Sequence, residues 1–137
     1  SVIKDYASQY REEAKKNGKK PFAVLMRDCV IGDNWETCVA KSEPTMTTHR
    51  WYYHYGAYVQ DDYIKDIKSP EELTFDVAAK QRLIAGSPDQ CLEQLQMWKE
   101  EVKPDYVMLR MKQPGGPPQS EALADIKMFG ERVIKYL

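Results

Sequence analysis

The sequence predicts an α/β protein built on parallel strands. Three observations carry this. Short apolar, strand-like segments alternate with longer amphipathic, helix-like ones, the order that a parallel sheet with crossover helices requires. The run Phe22-Ala23-Val24-Leu25-Met26 is continuously apolar, as expected where both faces of a parallel strand are covered. Helix stop and start signals at Asn17-Gly18 and Gly86-Ser87-Pro88-Asp89-Gln90 divide the segments cleanly.

In chain order, Val2 to Asn17 reads as an amphipathic helix. Ile3, Tyr6, Ala7, Tyr10 and Ala14 fall on one face at spacings of three and four, and Gly18 and Pro21 stop it. Phe22 to Ile31 reads as a strand, interrupted by the charged Arg27-Asp28. Gly32-Asp33-Asn34 turns the chain, and Asp33 or Asn34 is placed to cap the next helix. Asn34 to about Gln60 is helical, with a break near Pro44, and carries the aromatic cluster Trp51, Tyr52, Tyr53, Tyr55 and Tyr58. Asp61 to Pro70 is a polar loop, and Glu71 to Gln81 a short helix.

Arg82 to Ala85 is a short strand or extended lead-in. Ser87 then caps a helix, with Pro88 at its first position and Gln90 completing a capping box. That helix turns Leu92, Leu95 and Trp98 inward and ends near Val102. Tyr106 to Leu109 is a strand, Pro114 to Pro118 a rigid loop, and Gln119 to Tyr136 the last helix. Its apolar stripe is Ala122, Leu123, Ile126, Phe129, Val133, Ile134 and Leu137. Residues 1–137 are read as a single domain.

Composition excludes several classes. Twenty basic residues against twenty-one acidic ones leave a net charge of -1, without the basic surplus of a nucleic-acid binder. The dense run Lys15, Lys16, Lys19 and Lys20 ends a helix, where it complements the helix dipole. No apolar run approaches the roughly 20 residues of a membrane span. Three cysteines, Cys29, Cys38 and Cys91, are an odd number at irregular spacing and form no disulfide framework. They fit a reducing compartment, which points to the cytoplasm. His49 and His54 are five apart and share no helix face, so no metal site is expected. Gly115-Gly116 lacks the spacing of a phosphate loop and serves to turn the chain from strand to helix.

An ordered series of segments resembles the bacterial luciferase-like, flavin-dependent monooxygenase family. Arg82-Leu83-Ile84-Ala85-Gly86-Ser87-Pro88-Asp89-Gln90 looks like that family's hydrophobic-Gly-(Ser/Thr)-Pro-(Glu/Asp) helix start. Asp105 to Arg110 is similar to its final barrel strand. Gly130-Glu131-Arg132-Val133-Ile134 is similar to its chain ending, with Lys135 where the family usually has Pro. Upstream, Tyr10 to Gly18 looks like the sixth barrel helix and Leu25 to Asp33 like the seventh strand and its exit. Arg50 to Gly56 looks like an aromatic helix that some members carry.

The resemblance implies a partial (β/α)8 TIM barrel, its last two to three βα units, from the C-terminal portion of such an enzyme. A complete barrel takes roughly 250 residues. It implies FMN or a deazaflavin coenzyme, oxygen activation or hydride transfer, and a small organic substrate such as an aldehyde, alkane or sulfonate. The family holds its flavin phosphate mainly on the middle strands, which this sequence does not contain. The expectation is therefore a chain that is inactive alone and binds no flavin tightly.

In a parallel barrel, ligands sit at the C-terminal ends of the strands. That singles out Arg110, Lys112 and Gln113, and the residues around Ile31 to Asn34. Arg110 is read as a contact to a flavin or an anionic substrate group, or as a salt bridge to a neighbouring helix. Arg27 joins the candidate set, with Arg27-Asp28 read as a polar pair inside the barrel or a buried structural ion pair. The aromatic cluster is read as packing, or as a pocket wall. The competing function is a non-catalytic α/β module for oligomerisation or partner binding. Both readings predict a homo-oligomer, or association with the missing N-terminal barrel half, because a partial barrel has unpaired strand edges.

Overall fold

The computed structural model describes residues 2–58 and 64–137. The element order is α1 (Val2–Lys16), β1 (Val24–Ile31), α2 (Trp35–Lys41), α3 (Glu43–His54), α4 (Phe75–Ala79), β2 (Leu83–Gly86), α5 (Pro88–Glu101), β3 (Tyr106–Arg110) and α6 (Gln119–Arg132). Single 3-10 turns lie at Pro70–Glu72 and Ile134–Tyr136. The α/β alternation read from the sequence is therefore present. The helical stretch expected to reach about Gln60 ends earlier, at His54; residues 59–60 of that expectation, and the first part of the loop expected over Asp61 to Pro70, lie outside the described residues.

The starts and stops follow their local chemistry. Asn34, not Asp33, caps α2, its side chain accepting from the Thr37 amide at 2.8 Å. Ser42 separates α2 from α3, and Pro44 stands in the first turn of α3, where its missing N–H removes no helical bond. Ser87 and Gln90 form the capping box of α5. Gly86 just before it has φ +124, and a Cβ there would collide with the Gln90 side chain, so both the strand's end and the box require glycine.

All strand pairings are parallel, in the order β2-β1-β3. Residues Val24 to Asp28 of β1 pair with Tyr106 to Arg110, and Asp28 to Ile31 pair with Leu83 to Gly86. Asp28 is thus the one residue of β1 in both ladders. Consecutive strands of a (β/α)8 barrel lie side by side, yet β2 and β3 are separated here by β1. The three are not three consecutive barrel strands. Only β1 and β3, read as the seventh and eighth, are neighbours as that assignment requires.

The two faces of the sheet are covered differently. On one face Leu25, Cys29, Ile31 and Ile84 pack with Cys91, Leu95 and Trp98 of α5, and with Phe129 and Val133. Ile3 and Ala7 of α1 border this layer, whereas Tyr6 and Tyr10 are exposed. On the other face Val30, Leu83 and Ala85 pack with Cys38, Met46, Tyr58, Leu73 and Phe75. This second layer covers only the C-terminal half of β1. Val24 and Met26, and their register partners Tyr106 and Met108, stay exposed. The expectation that β1 is covered on both faces along its length fails there.

The last helix also departs from its sequence reading. Ala122, Phe129 and Val133 are buried, but Leu123, Ile126, Ile134 and Leu137 are exposed. Asp125 is buried instead, both its oxygens 2.7 Å from Lys41 Nζ. At the far side of β2 the carboxamide of Gln94 accepts from the Ala85 N–H at 3.0 Å and donates to the Ala85 carbonyl at 2.7 Å. That margin of the sheet is not bare.

Candidate functional site

The register fixes the centre of the site. Asp28 and Arg110 are direct cross-strand partners, so their side chains emerge on the same face. Arg110 Nε donates to Asp28 Oδ1 at 2.6 Å and Nη2 to Oδ2 at 2.9 Å, a bidentate fork. Asp28 is buried, while the Arg110 side chain is 36% exposed. The pair stands at the last residue of β3, the end of a parallel strand where ligands of α/β proteins gather.

Helix α3 closes the site from above. His49 is on its buried face, and His49 Nε2 lies 2.7 Å from Asp28 Oδ2. Facing a carboxylate, Nε2 carries the proton, and in the neutral ring Nδ1 then accepts from the Tyr58 hydroxyl, its partner on the other side. Tyr52, three residues after His49 and so on the same helix face, sets its hydroxyl 3.3 Å from both Nη1 and Nη2 of Arg110. The chain of contacts runs from Tyr58 through His49, Asp28 and Arg110 to Tyr52, tying α3 to two strands.

Burial alone raises the pKa of Asp28, but the hydrogen bonds and charges of His49 and Arg110 outweigh it and hold the carboxyl below its ordinary range. The hydrogen bond to Asp28 raises Arg110 above its ordinary value in turn. Asp28 is therefore a fixed anion here and does not serve as a proton store near neutral pH. A cavity of about 90 Å³ opens beside the network, lined by Met26, Arg27, Asp28, His49, Tyr52, Arg82 and Arg110.

The four residues singled out in the sequence do not converge. Arg110 is in the network. Arg27 follows strand alternation to the other face, where its guanidinium lies 4.4 Å over the Trp98 ring. The ion pair read between Arg27 and Asp28 is replaced by Asp28 with Arg110 and His49. Lys112 is exposed, on the rim of an apolar groove of about 540 Å³ between β3 and α6. Gln113 is buried, its backbone bridging Gly116 at 2.9 and 3.1 Å and its carboxamide without a hydrogen-bond partner.

Sequence reasoning missed His49, Tyr52 and Tyr58 as members of one network. The usable signal was the spacing of His49 and Tyr52, which puts an imidazole and a phenol on one helix face, opposite an acid that breaks an apolar strand. All three cysteines are free and buried. Burial pushes the Cys38 thiol up to about 11, and Cys29 is raised too, by its hydrogen bond with Cys91 and then by burial. Cys29 and Cys38 are thus held as buried thiols. Among the described residues no group of His, Cys, Asp and Glu has the arrangement of a metal site, and no helix is long and apolar enough to cross a membrane.

No family model and no curated protein matches this chain. Among solved structures it is similar to the monooxygenase RslO1 from Streptomyces bottropensis. The likeness has a TM-score of 0.66 at 15% sequence identity and covers 98% of this chain. The chain spans 37% of the length of that structure. At this identity the likeness carries the fold: nearly all of this α/β arrangement recurs as one part of a larger monooxygenase.

Proposed function

We propose that this chain is the C-terminal part of a flavin-dependent, luciferase-like monooxygenase that acts on a small organic substrate. The single observation behind the reading is the recurrence of this fold within a monooxygenase. The free margin of β3 agrees with it. Grooves of about 340 and 540 Å³, lined by Val107, Leu109, Phe129 and Ile134, flank that strand where a further βα unit would pack.

FMN or a deazaflavin would be the coenzyme of the whole enzyme, but the residues of this chain do not form its site. The cavity beside the Asp28–Arg110 pair is about 90 Å³, whereas pockets for ligands of cofactor size run from about 300 Å³; the groove of about 540 Å³ that Arg110 and Lys112 also border is lined mostly by apolar residues. Arg110 is also paired with Asp28, so its charge is largely compensated before a phosphate dianion could meet it. In this reading the chain supplies one wall of a substrate cavity, and the remaining strands supply the cofactor site. Association with those strands, or with a second copy, would cover the exposed residues Val24, Met26, Tyr106 and Met108.

Titrating the purified chain with FMN and following flavin fluorescence tests the division of labour. No saturable quenching at micromolar concentration is expected, and micromolar binding would overturn the claim that the flavin site lies on other strands. The reading frame is the second check: a gene without upstream strand–helix repeats defeats the enzyme-part reading. A non-catalytic α/β module is the alternative. It is favoured by one observation, the carboxamide of Gln94 closing the β2 margin as if the sheet ended there.

A further inference from the structure

Counting donors at Arg110 and Tyr52 leaves two hydrogens without an acceptor among the described residues, one on each side chain. A guanidinium has five N–H groups. Nε and one hydrogen of Nη2 go to Asp28, and the other hydrogen of Nη2 and one of Nη1 point at the Tyr52 oxygen. The second Nη1–H has no acceptor among the described residues. The Tyr52 oxygen accepts from Arg110, so its own O–H proton is free to donate outward. These two donors are carried by heavy atoms 3.3 Å apart, on a guanidinium that is 36% exposed, beside the cavity of about 90 Å³.

We propose that Arg110 and Tyr52 form a binding site for the carboxylate group of a small molecule. A carboxylate offers two acceptor oxygens in one plane, one for Nη1–H and one for the tyrosine O–H, with both bonds charge-assisted. The site is built before the ligand arrives. The bidentate bond to Asp28 fixes the guanidinium, and His49 fixes Asp28 from the far side. Asp28 and His49 are therefore positioning residues. The other arginines beside the cavity have their own contacts, Arg82 with the Ala57 carbonyl and the Tyr58 ring, and Arg27, its guanidinium on the opposite face of the sheet, with the Met26 carbonyl and the Trp98 ring. Arg110 is thus the cation turned toward the opening. Asp28 opposes the incoming charge, so the affinity is millimolar rather than micromolar. The small cavity admits a group of a few atoms, which suits a carboxylate head and leaves the remainder of the molecule on the exposed side.

The site requires no flavin, so its test is separate from the FMN titration. The nitrogen-15-labelled chain is titrated with sodium acetate, against sodium chloride at equal ionic strength, while the Arg110 Nε–H resonance is followed. A saturable shift with acetate that chloride does not reproduce is expected. Tyr52→Phe, which removes only the hydroxyl, weakens it by about tenfold or more. A linear shift, an equal shift with chloride, or undiminished binding by folded Tyr52→Phe overturns the site. If Tyr52→Phe does not fold, the wild-type acetate and chloride titrations decide the matter alone.

Discussion

Asp28 ties two strands and a helix together through one side chain. It is buried, answers both Arg110 and His49, and is the residue at which the two strand ladders meet. Replacing it with asparagine removes the charge and leaves the guanidinium and imidazole without their anion. Breaking a buried pair costs about 3–5 kcal/mol. Because Arg110 keeps contact with water, about 2–3 kcal/mol is expected for Asp28→Asn, measured as a lower midpoint in urea unfolding. The pH dependence has a definite sign. The folded carboxyl titrates below its unfolded value of about 3.9, so its contribution is complete above that pH and is lost as the pH falls through the folded value. Wild-type stability should therefore fall on acidification below about pH 4 more steeply than that of Asp28→Asn; parallel profiles would show that the charge contributes nothing. Arg110 was legible in the sequence because it is a cation at the end of an apolar strand. Its partners were not. Arg110 and Asp28 are 82 positions apart, and His49 and Asp28 are 21 apart. Only the strand register and the seat of α3 bring them together.

Helix ends were the most legible elements, because capping is local. The capping box at Ser87 and Gln90 formed as its spacing required. The strand β1 and the helix α6 were read less well, because an apolar residue is buried only where another element covers it. Val24 and Met26 alternate with buried Leu25 and Arg27, and Leu123 and Ile126 line a stripe that none of the described residues covers. Gln94 shows the reverse case, a polar residue of α5 whose task is to satisfy a strand. Gln94→Leu keeps the size but strands the N–H and C=O of Ala85. A loss of about 1–3 kcal/mol and faster hydrogen exchange at the Ala85 amide are expected. Unchanged exchange would mean that the bonds are not made in solution.

For the whole molecule, the quartet Val24, Met26, Tyr106 and Met108 forms an exposed apolar face on the sheet. Contiguous apolar area of this kind marks a face that meets another protein surface. The double substitution Met26→Ser with Met108→Ser should shift sedimentation toward monomer while leaving the folding midpoint within about 0.5 kcal/mol. If the wild type already sediments as a monomer at high concentration, self-association through this face is ruled out.

The pairing of β1 carries one more consequence. Its first half belongs to β3 and its second half to β2. β3 starts level with β1 and β2 ends level with it, so the three strands share a single rung, at Asp28. The sheet is three strands wide at that rung and two strands wide on either side of it.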